Sequence, residues 1–117
     1  MIRISSLQQN ALDPPFPSAA FVRRVATYMR EHFPQLRSVQ LEPLNAEIAS
    51  QSLVAQKFGL ETEQDTVSYI LAAYVLGADF HEHPEIQDYL TSDRPSLDKA
   101  MFLDAVVLAT DEQEQSA

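Results

Sequence analysis

A chain of 117 residues with 45% hydrophobic content is sized for one globular domain, and folding that buries about two-thirds of its unfolded surface supplies one core. It has no cysteine, which excludes disulfides, thiol catalysis and cysteine-ligated zinc. Its net charge of −9 is polarised: residues 1–60 carry six bases against four acids, residues 61–117 two bases against 13 acids, a surface that repels nucleic acid and anionic membrane and attracts basic partners.

Residues 1–12 show weak pattern, with at most one helical turn around Ser6 to Ala11. Met1 to Gln9 lack the apolar run of a secretory signal, and the longest apolar-rich stretch, Val67 to Leu76, is too short to cross a membrane, so a cytoplasmic location is expected. Asp13-Pro14-Pro15-Phe16-Pro17 reads as a stiff extended segment, because three prolines fix φ and remove donors; Phe16 is expected to pin it to the core.

Ser18 is placed to cap a helix running to about His32. Val22, Val25, Ala26, Met29 and Phe33 form its apolar stripe, and Arg23, Arg24 and Arg30 fall off it as solvated face. Pro34 ends the helix. Residues 35–42 read as an extended connection anchored by Val39 and Leu41. A second helix is predicted from about Pro43, carrying Leu44, Ile48, Val54, Ala55 and Phe58, and stopped by Gly59.

Thr62-Glu63-Gln64-Asp65 is the cleanest start signal, a hydroxyl three residues before a carboxylate at the positive end of a helix dipole. The helix that follows, to Leu76 and Gly77, carries Val67, Ile70, Leu71, Tyr74 and Val75 around much of its circumference, so it is expected to be central. His83-Pro84 opens a short helix to Leu90 with Ile86, Tyr89 and Leu90 inward. Ser96 is expected to cap a last helix through about Ala109, with Leu97, Met101, Phe102, Ala105, Val106 and Leu108 apolar, before a fraying tail at 110–117. The expected fold is all-α, a compact irregular bundle of about five helices in a single domain spanning 1–117, with an extended N-terminal arm over 1–17.

One segment looks like a site. Asp79-Phe80-His81-Glu82-His83-Pro84-Glu85 puts two histidines and three carboxylates within seven residues. Such groups ligate zinc, nickel or iron, but alternate histidines suit a strand, and this segment lies between helices. Its structural reading is capping: Asp79 or His83 bonding exposed amides, with Glu85 in the first turn. Phosphate loops and nucleophile elbows are missing, and the paired carboxylates Glu61/Glu63 and Asp111/Glu112 lack burial to tune an acid, so no enzyme, cofactor or metal is expected.

The run Lys57 to Asp65, with Tyr69-Ile70, Val75 to Phe80 and His83-Pro84, after a helix from Phe21 to Phe33 closed by Pro34, resembles small acidic helical accessory proteins encoded beside type VI secretion system effectors in Gram-negative bacteria. The resemblance covers roughly residues 18–105 and rests on helix punctuation, so it transfers no site residue. It implies binding to a secreted toxin, as immunity protein or loading adaptor. Charge and loop position make Glu61, Glu63, Asp79, Glu82, Glu85, Asp88, Tyr89 and Asp93 the candidate partner-binding residues, carboxylates meeting a basic surface around an aromatic anchor. Two alternatives stay open. One is a nucleic-acid mimic using Asp79, Glu82, Glu85 and Asp88; the other is a small metalloprotein using His81 and His83.

Overall fold

A computed structural model describes residues 16–116, with side chains described through Thr110. The expected turn at 6–11 and most of the N-terminal arm lie outside these residues. Among the described residues the fold is all-α: α1 (Ala19–His32), α2 (Leu41–Lys57), α3 (Glu63–Leu76), α4 (Pro84–Leu90) and α5 (Ser96–Ser116), with 3-10 turns at Pro34–Ser38 and Phe80–Glu82. None of these helices is long and apolar enough to cross a membrane.

The first helix starts where its cap dictates. Ser18 is extended, and its Oγ accepts from the Phe21 amide at 3.1 Å. Phe16 sits against Phe21, ring centroids 5.1 Å apart, so it does pin the end of the arm. Phe21, Val22, Val25, Ala26 and Met29 are buried on one face. The 35–42 connection differs from expectation. Pro34 ends α1 but starts a 3-10 turn, whose buried anchor is Leu36, while Val39 and Leu41 are exposed. A proline suits the first turn of a helix as well as it terminates the previous one. Leu41 then opens α2 two residues earlier than Pro43.

The end of α2 is a two-bond lock. The Gly59 amide donates to Gln56 O at 3.0 Å and the Leu60 amide to Ala55 O at 3.2 Å, with Gly59 at φ +85°. This is the Schellman arrangement, and buried Leu60 and Ala55 supply its apolar contact.

Every residue of α3 from Gln64 to Ala73 is buried. The helix lies between α2 and α5, and its opposite faces serve two apolar clusters. Val67, Ile70 and Leu71 join α1 and α2; Tyr69, Ala72 and Ala73 join Phe80, α4 and α5. A fully buried leucine such as Leu103 contributes roughly 1.5–3 kcal/mol over its exposed state.

The last helix departs most from the sequence reading. It runs to Ser116, past Ala109, with no glycine or proline to stop it. Its inward face is Lys99, Ala100 and Leu103, flanked by half-buried Phe102, Val106 and Val107, whereas Leu97, Met101, Ala105 and Leu108 are exposed.

Candidate partner-binding surface

The corner between α2 and α3 is tied to the start of α5 by polar side chains. Thr62 Oγ1 accepts from the Asp65 amide at 3.0 Å, as the capping pattern requires. Ser96, expected to cap α5, is used differently: its Oγ donates to Asp65 Oδ2 at 2.6 Å and accepts from the Glu61 amide at 2.8 Å. The Asp65 carboxylate, 4% exposed, thus gains a donor from another helix. Lys99 is also buried, and its Nζ donates to Phe58 O at 2.8 Å, a cation at the carbonyl end of α2.

From this scaffold the chain enters the acidic segment. Asp79 precedes and Glu82 closes a 3-10 turn in which Phe80 points inward; Glu85 and Asp88 lie on the outer face of α4, opposite buried Ile86 and Leu90. Glu61 and Asp93 are exposed as well. These six carboxylates have no ion pair among the described residues, and the chain carries no lysine or arginine between Lys57 and Arg94. The five from Asp79 to Asp93 follow one another along the chain as an uncompensated acidic ridge, and Glu61 stands apart at the start of α3.

Two expected contact residues have other roles. Glu63 is held by Arg24, whose Nη2 reaches its two carboxylate oxygens at 3.0 and 3.1 Å, so Arg24 is not simply solvated face. Tyr89 is sandwiched. Phe102 stacks on it with centroids 4.1 Å apart and planes 6° off parallel, and the Arg94 guanidinium carbon lies 4.3 Å from its ring centroid. Two groups that close must take opposite faces, so only the ring edge is free for a partner.

Among the described residues no three His, Asp or Glu side chains converge in metal-binding geometry. His81 packs beside Phe58, with centroids 5.7 Å apart, and its Nδ1 is buried without a partner. Neither Asp79 nor His83 caps a helix through its side chain, so the expected capping bonds are not made. The adjoining Tyr69 phenol is buried, its Oη has no partner, and burial pushes its pKa up to about 12. On the opposite side, the Tyr28 phenol is pushed up by burial and then by the charge of Asp104.

Sequence reasoning missed Ser96, Lys99 and Arg24. Their partners lie 31, 41 and 39 residues away, beyond any local pattern. No family model, curated protein or solved structure matches the chain.

Proposed function

We propose that this chain is a non-catalytic binding protein whose acidic ridge, Asp79, Glu82, Glu85, Asp88 and Asp93, together with Glu61 at the start of α3, receives a basic surface of another protein. The observation that carries this reading is the exposure of six carboxylates with no basic side chain paired to them among the described residues. Such a ridge speeds encounter with a cationic partner and suppresses anionic ones. The ridge is mounted on short elements packed against α3 and α5, so its charges are held in place rather than on a flexible tail. The punctuation shared with type VI secretion accessory proteins supports a secreted toxin or effector as the partner, met in the cytoplasm as immunity protein or loading adaptor.

Immobilised wild-type protein and a Glu82→Lys, Glu85→Lys, Asp88→Lys variant, exposed to lysate of the native host, test the reading. A basic protein enriched on wild type, released by salt on the order of 0.5 M, where the Debye length falls to roughly 4 Å, and lost at least tenfold from the variant, supports it. Equal retention by both proteins overturns it.

The three-residue steps from Asp79 to Asp88 favour a second reading, a mimic of nucleic-acid phosphates. The row is broken at His83, where the backbone leaves the 3-10 turn and α4 begins. If duplex DNA displaces the captured partner, this second reading replaces the first.

A further inference from the structure

Helices α1, α2 and α3 leave a cavity of about 310 Å³ between them, at the lower edge of the roughly 300–1,000 Å³ of small-molecule sites. Met29, Leu44, Ile48 and Ile70 wall it, all buried in the cluster that joins α3 to α1 and α2. Its polar side chains offer acceptors. Glu47, exposed on α2, supplies a carboxylate. Gln51, one turn later and 8% exposed, donates its Nε2 to Glu47 Oε1 at 2.9 Å. A carboxylate has no proton to give, so this bond fixes the amide with its nitrogen toward Glu47 and leaves Gln51 Oε1 as an acceptor. Tyr74 Oη is already engaged, accepting from Gln35 Nε2 at 2.7 Å. Gly77 and Ala78 complete the lining where α3 finishes, with no basic residue in its last turn to offset the carbonyl end of its dipole. Among the described residues no lysine, arginine or histidine lines the cavity.

We infer that this cavity binds a small organic ammonium ion with an aliphatic body. The apolar walls take the chain, and the ammonium head, which has only donors, meets the Glu47 carboxylate and Gln51 Oε1. Glu47 has no ion pair among the described residues, so no protein cation must be displaced to admit the ligand. The same groups set the selectivity. A neutral apolar molecule gains the walls but leaves the carboxylate unpaired. An anion of equal length meets like charge at Glu47 and at the carbonyl end of α3. None of the ridge carboxylates lines the cavity, so the inference stands apart from the protein partner proposed for the ridge.

Titration of the full-length protein with hexylammonium chloride at constant ionic strength, followed by amide NMR, tests this. The expected result is a saturable shift of the Ile48, Gln51, Ile70 and Gly77 amides, half complete at about 1 mM or below. Hexanoate, of the same apolar length and opposite charge, binds about tenfold more weakly or less, the factor carried by a charge-assisted hydrogen bond. Glu47→Gln sits at an exposed position and keeps an acceptor for Gln51 Nε2, so the fold is retained. It lowers hexylammonium affinity about tenfold and leaves hexanol affinity unchanged. Glu85→Gln on the ridge changes neither, which separates the cavity from a general attraction of cations to an acidic chain. The inference is overturned by no saturable shift up to about 20 mM, by shifts centred on residues 79–93, by hexanoate binding as tightly as hexylammonium, or by a Glu47→Gln variant that binds like wild type.

Discussion

The Tyr69 hydroxyl is a polar atom buried beside the rings of Phe58 and Phe80 without a hydrogen-bond partner. Leaving it unpaired costs about 1–3 kcal/mol of desolvation, so Tyr69→Phe is expected to hold or raise stability, by up to about 1 kcal/mol. Thermal melting checks this, and a loss larger than about 1 kcal/mol means that a water satisfies the oxygen. The same phenol gives a pH dependence. Its folded pKa, about 12, lies above the ordinary 10, so the native state holds the proton more tightly. Its contribution is complete below pH 10 and is lost as pH rises from 10 through 12. Denaturant melts across that window should fall more steeply for wild type than for Tyr69→Phe. Gly59 is a second residue-scale constraint. At φ +85°, with an added Cβ meeting Lys99 Nζ at 3.2 Å, Gly59→Ala should destabilise by about 1–2 kcal/mol.

Between elements, the joint that matters is the one linking the α2–α3 corner to α5. Ser96→Ala removes the donor to a buried carboxylate and the acceptor for the Glu61 amide, so it should cost about 1–3 kcal/mol, more than the roughly 1 kcal/mol of Thr62→Ala. Equal losses in chemical denaturation would show that the cross-helix bonds add nothing. The contrast also explains what could be read beforehand. Thr62 announces itself because cap and amide are three residues apart, and Gly59 and Gly77 mark helix ends by local backbone need. Ser96 is the right residue type to cap its own helix; only tertiary packing turns its hydroxyl toward Asp65. Pro34 was legible as a stop but not as the start of a 3-10 turn, since one proline serves both. Helix α5 outruns its apolar pattern because the polar residues after Thr110 have no apolar period, although nothing there forbids helix.

At the scale of the whole molecule, charge was readable and pairing was not. The sum and polarity follow from composition, and the ridge from 79 to 93 stays exposed. The engagement of Glu63 by Arg24 and the sandwiching of Tyr89 required the fold. Likewise the apolar positions of α5 occupy more than one face, and only packing against α3 and α4 decides which of them are left outside. An excess of unpaired carboxylates predicts that added salt stabilises: the melting temperature should rise by a few degrees between about 10 and 300 mM NaCl as self-repulsion is screened. A fall would mean internal ion pairs dominate.

Because α3 contributes to both apolar clusters, displacing that helix opens both at once. The two halves are thereby coupled into one cooperative unit rather than two separable foldons. Backbone amides of Val67 to Ala73 should exchange with deuterium only through global opening, at the slowest rates in the chain, while those of α4 exchange through smaller local events.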